Sequence, residues 1–145
     1  MLSIPCIYDT YGKTAKSLSI VTVAFLAVFA VGACIFTCFF SVNDSKDVVT
    51  VASQIHGAGS AIGFMLMLFV PLLLGILSLK MGDKASGIIG IISFVLALTF
   101  FVLFVMADKA EFQGTVIAKE GLWQRLNLLF TYLPLFYVAI TKIKS

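Results

Sequence analysis

The stretch IHGAGSAIGFMLMLFVPLLLGILSL, residues 55–79, contains no Asp, Glu, Lys or Arg. As a helix rising about 1.5 Å per residue it is long enough to cross the roughly 30 Å hydrocarbon core of a bilayer. Three further apolar runs of similar length lie at residues 18–40, 87–107 and 122–140. The expected fold is an all-α integral membrane protein, a four-transmembrane-helix bundle forming one membrane domain over residues 1–145. Membrane strands alternate over about ten residues and give a much weaker signal, which excludes a barrel. Composition agrees: 61% of the residues are hydrophobic and only 12% charged, a balance outside the range of soluble domains.

The net charge of +3 comes from scattered lysines and a single arginine, so no phosphate-binding patch forms and nucleic acid is excluded as a partner. Their placement sets direction. Lys13 and Lys16 in the head, Lys80 and Lys84 in the turn KMGDKAS, and Lys142 and Lys144 in the tail fall on one side. On the other, Lys46 sits between Asp44 and Asp47, and Lys109 and Lys119 mix with Asp108, Glu111 and Glu120. By the positive-inside rule both termini are expected in the cytoplasm. The head MLSIPCIYDTYGKTAKS has late lysines and an overlong apolar run behind it, so it reads as a short untranslocated segment rather than a signal peptide. Localisation in a prokaryotic cytoplasmic membrane is the expectation.

Two connections matter. The one between the second and third runs is short, with Gly82 as a natural helix stop, and predicts an antiparallel hairpin. The one over residues 108–121 is the only sizeable outer segment; a plain connector is the default expectation. Cys6, Cys34 and Cys38 give no disulfide framework. Cys34 and Cys38, one helical turn apart, read as small apolar filler in a helix interface, since CxxxC is not a redox spacing and no metal-binding partner lies nearby.

His56, the only histidine, lies about 36 Å above Lys80 by helical rise, at the outer edge of the core; Arg125 lies about 26 Å above Lys142 and can snorkel to the same depth. An arginine in an apolar span costs about 2.5 kcal/mol or more at the bilayer centre, so it turns toward water, protein or a counter-charge. The expected site is therefore a polar cavity at the outer mouth, with His56, Gln124, Arg125 and Asn127 as ligand-binding residues. Trp123 reads as part of the interfacial aromatic belt. Gly59 and Gly63 form GxxxG with Ser60 on the adjoining face, and Gly90 lies on a thin edge of the third run, so Gly59, Ser60, Gly63 and Gly90 are the expected helix-packing residues.

The stretches IHGAGSAIGFMLMLFVPLLLG and GLWQRLNLLFTYLPLFYVAI resemble a prokaryotic membrane family called domain of unknown function 998. The likeness lies in a histidine opening one span and G-x-x-Q-R opening the last. It implies an all-helical membrane protein without an established activity and draws attention to His56, Gln124 and Arg125. With residue 18 onward matched to the last four of six family spans, it also implies a second copy or partner subunit completing the bundle.

The leading functional expectation is binding of a lipid headgroup, small solute or partner helix at the outer-leaflet mouth, without catalysis. Membrane lipids are the expected contacts, with a homo-oligomer or partner membrane subunit beside them, and no cofactor or metal is predicted. One alternative is a heme- or quinone-dependent redox protein, since histidine is a common axial ligand; a single histidine cannot ligate heme twice within one chain. Another is a transporter or membrane-complex subunit, against which stands the lack of charge in the central thirds of the spans. Hydrolase motifs are missing from the sequence.

Overall fold

The computed structural model describes residues 3–40 and 50–143. Lys46 with its flanking Asp44 and Asp47, and Lys144, lie outside the described residues. Among those described, every regular element is helical: α1 (Ser3–Tyr11), α2 (Lys16–Phe29), a π-helical turn (Ala30–Ile35), α3 (Phe36–Phe39), α4 (Val51–Lys80), α5 (Lys84–Ala107) and α6 (Glu120–Ile143). Short 3-10 turns, Ala110–Phe112 and Val116–Ala118, lie between α5 and α6. Three stretches are long and apolar enough to cross a membrane, namely Lys16–Ile35, Val51–Lys80 and Lys84–Ala107. The helix α6 is as long as α5 but more polar toward its start, where Gln124, Arg125 and Asn127 fall.

The chain forms two compact units, Met1–Val70 and Pro71–Ser145. In the first, α1 packs on α2 and buries Ile7 and Tyr11. That the head is helical had no signal in the charge pattern used to orient it; Ile7 and Tyr11, four apart, share one face of the helix and take it out of solvent. Ser19 and Thr22 are fully buried on α2 and return their hydroxyls to the carbonyls of Ala15 (2.9 Å) and Leu18 (2.8 Å), so neither needs a partner on another helix. The start of α4 is closed by reciprocal bonds, Thr50 N–H to Ser53 Oγ (3.0 Å) and Ser53 N–H to Thr50 Oγ1 (3.2 Å), which satisfy two of the donors a helix start leaves open.

In the second unit the end of α4 turns into α5 through Gly82, whose φ of 81° is the left-handed conformation that a side chain opposes. Gly82 N–H reaches Leu79 O and Asp83 N–H reaches Ser78 O, both at 3.0 Å, the paired bonds of a Schellman stop. Asp83 then caps α5, accepting from Ser86 N–H at 3.1 Å and Ser86 Oγ–H at 2.7 Å. One residue thus ends one helix and starts the next.

The helix α5 is apolar all round, and its sides are sorted by size. Ser86, Gly87, Gly90, Ser93 and Ala97 are buried, while Ile88, Ile92, Val95, Val102 and Val105 are exposed. In water such a surface would be an aggregation liability. In a bilayer it is the expected arrangement, because lipid accepts large aliphatic side chains and small residues let helix backbones approach. The sorting and the three long apolar helices together make this a membrane-embedded, all-helical protein.

Candidate functional site

In the first unit, backbones of the first span and α4 meet at glycine. A Cβ placed on Gly32 would lie 2.5 Å from Gly59 O, and one on Gly63 would lie 3.1 Å from Ala33 Cβ. Phe29 and Phe64 meet edge to face beside them, with ring centroids 5.6 Å apart. An open, apolar groove of about 400 Å³ runs over this contact, lined by Ala27, Val28, Val31, Gly32, Gly59 and Ile62. Ser60 sends its hydroxyl to His56 O at 2.8 Å and Gly57 O at 3.1 Å, so its polarity is spent within α4.

His56 is half-buried, with Nδ1 2.7 Å from Phe40 O. A carbonyl only accepts, so Nδ1 carries the hydrogen and Nε2 is left as the acceptor of the neutral ring. Phe40 directly follows α3, where carbonyls lack an intrahelical donor; His56 supplies one. Cys34 and Cys38 are both exposed, which corrects the expectation that they fill an interface inside the chain. The closely packed side of this segment belongs to Gly32, which has no side chain to separate it from Gly59.

In the second unit, α4 and α5 meet backbone to backbone at Gly75 and Gly90. A Cβ on Gly90 would lie 2.7 Å from Gly75 Cα and from Pro71 O. Farther along α5, its buried side meets α6. Asn127 is buried and donates from Nδ2 to Ala97 O at 2.8 Å, and Thr131 Oγ1 donates to Asn127 O at 2.7 Å. Trp123 stacks on Phe100 at 6.1 Å, and Phe100 on Phe130 at 5.6 Å.

The segment between α5 and α6 is folded rather than a plain connector. Trp123 Nε1–H donates to Ile117 O at 2.9 Å, and Gln113 Nε2–H to Ala107 O at 3.2 Å. Gly114, with φ 81°, makes the reversal between the two 3-10 turns. A sequence reading missed this because the tie depends on an indole reaching a backbone carbonyl, which side-chain type does not reveal.

The two faces of α6 are distinct. Asn127, Thr131, Pro134 and Val138 are buried. Leu122, Arg125, Leu129, Leu133, Phe136 and Ile140 are exposed along the opposite side. Asn127 stands about 200° round the helix from Arg125 at 100° per residue. Gln124 is exposed beside Arg125. Of the residues expected to line one polar cavity, Asn127 is committed to α5, Arg125 is on the opposite side of α6, Gln124 is exposed between them, and His56 lies in the first unit. Among the described residues no ion pair or hydrogen bond engages the Arg125 guanidinium, and no group of His, Cys, Asp and Glu is disposed to hold a metal ion.

A family model described as Protein of unknown function (DUF998) matches residues 4–141. The chain belongs to this family. The DUF998 match starts in α1 and runs nearly to the end of α6, so both units fall within it. No curated protein and no solved structure matches the chain.

Proposed function

We propose that this DUF998 protein crosses the membrane four times, with α6 as the fourth span and both termini in the cytoplasm, and binds an anionic lipid headgroup in the outer leaflet through Arg125. The observation that carries the reading is the position of Arg125 on the exposed aliphatic stripe of α6, near the start of the helix. A guanidinium on a lipid-facing stripe is costly unless it reaches the interface, and its stem is long enough to do so from within the outer leaflet. There the abundant anion of matching geometry is the lipid phosphate, which accepts two parallel N–H bonds from one arginine.

Gln124 adds an amide donor on the neighbouring side. Asn127 supports the site from behind by fixing α6 against α5.

The test is native mass spectrometry of the full chain taken from membranes in mild detergent, comparing the parent with Arg125→Leu. The parent is expected to retain phosphatidylglycerol or another anionic phospholipid, and the variant to lose it by about tenfold, the effect of one charge-assisted pair. Equal retention overturns the headgroup reading. A second copy or other polypeptide retained through the same stripe, and lost in Arg125→Leu, replaces it with the partner-helix reading.

A further inference from the structure

The π-helical turn Ala30–Ile35 stands apart from the helical geometry around it. Such turns hold one residue more than an α-helix would, and they persist where the surroundings select them. Two contacts do so here. Gly32, inside the turn, meets the backbone of Gly59. Beyond the turn, Phe40 O is held by His56 Nδ1–H at 2.7 Å. Both anchors are on α4, three residues apart in sequence, and the segment they hold is short.

We infer that the turn Ala30–Ile35 is a register switch, kept in its π-helical state by the His56–Phe40 hydrogen bond. Relaxing the extra residue into α-helix rotates everything beyond it by about 100° and shifts it by about 1.5 Å along the axis. The rotation carries the Phe40 carbonyl away from His56. It also turns the exposed Cys38 and Phe39 off their present face and moves Val31 and Gly32, which line the apolar groove over Gly59. The histidine and the groove are thereby coupled through the backbone: a state that occupies the ring Nδ1 elsewhere releases the turn and reshapes the groove. This inference does not depend on Arg125 or on lipid binding.

The single histidine makes the latch directly observable. In the full chain, labelled with 15N-histidine and reconstituted in phosphatidylcholine vesicles, the ring spectrum is expected to show a protonated Nδ1 and an unprotonated Nε2. The reverse tautomer overturns the inference.

The switch itself is read from Cys38 in a Cys34→Ser background, with Cys6 as internal reference for a lipid-soluble maleimide. His56→Ala is expected to change the Cys38 rate relative to Cys6 by about fivefold, the population shift that follows loss of one net hydrogen bond. His56→Asn, whose Nδ2–H can take the place of Nδ1–H, is expected to retain the parent ratio. Deleting Ala33, which removes the extra residue and lets the helix beyond it keep its present register, is expected to retain the parent ratio and to make that ratio insensitive to His56→Ala. A parent-like ratio in His56→Ala, or a deletion that behaves like His56→Ala, overturns the switch. If both variants fail to fold, the tautomer in the unsubstituted protein decides.

Discussion

Asn127 donates a hydrogen bond across thirty positions of sequence to the main-chain carbonyl of Ala97, at 2.8 Å, from a site that is almost wholly buried. The acceptor belongs to a helix whose own ladder already uses that carbonyl, so the amide adds a second bond rather than repairing a missing one. It pins α6 to α5 at one rotation and thereby fixes Arg125 on the outward side. Asn127→Ala is expected to lower stability in detergent by about 1 kcal/mol, within the range of interhelical bonds measured in membranes. Thermal unfolding followed by circular dichroism checks it, and an unchanged midpoint would show that the bond is not formed.

The glycines separate into tight and open positions. Gly90→Ala places a methyl against the Cα of Gly75 and the Pro71 carbonyl, both backbone and unable to yield; a loss of about 1–3 kcal/mol is expected. Gly32→Ala meets the Gly59 carbonyl in the same way. Gly57 has nothing within 4 Å of a built Cβ, so Gly57→Ala is expected to stabilise by up to about 1 kcal/mol through helix preference alone. The same melting measurement ranks all three, and a destabilised Gly57→Ala would contradict the ranking.

At the turn between α4 and α5, Gly82→Ala forces a side chain into φ 81° and is expected to cost about 1–2 kcal/mol. Asp83→Ala removes the cap from α5 and is expected to cost about 0.5–2 kcal/mol. Because the two changes act on one loop, the double variant is expected to lose less than the sum, which a mutant cycle measures.

Trp123→Phe keeps an aromatic ring available to stack on Phe100 but deletes the bond to Ile117 O. The two 3-10 turns are then held less firmly, and trypsin cleavage after Lys119 is expected to accelerate by about fivefold while the melting midpoint barely moves. An unaltered cleavage rate would show that the indole bond does not hold the loop.

Topology is tested with an impermeant maleimide on intact cells, in a background without native cysteines. Thr115→Cys is expected to label and Met81→Cys to label only after permeabilisation, from the placement of the lysines. The opposite pattern would invert the orientation and move the Arg125 site to the cytoplasmic leaflet.

How far the sequence reached depends on which physical quantity each feature follows. Positions of the long helices follow from the length and continuity of apolar runs, which the bilayer thickness sets. The Gly82 turn followed from local chemistry, because only glycine enters that conformation without penalty. All-helical character followed from the need of a spanning backbone to satisfy itself. The family resemblance rested on His56 and the Gln124–Arg125 pair and stands over residues 4–141.

Rotation of each helix about its own axis was beyond the sequence, since a helix such as α5 is apolar on every side and lipid is as apolar as the protein interior. Small residues hint at the buried side, yet only the α5–α6 contact turned Asn127 inward and left Arg125 among exposed leucines. The π-turn, which advances the register past Ala30, has no compositional mark, and it placed Cys34 and Cys38 on the outside. The tertiary structure also chose the partners of His56 and Trp123, because a ring nitrogen bonds whichever carbonyl packing brings within reach: Phe40 for the one and Ile117 for the other.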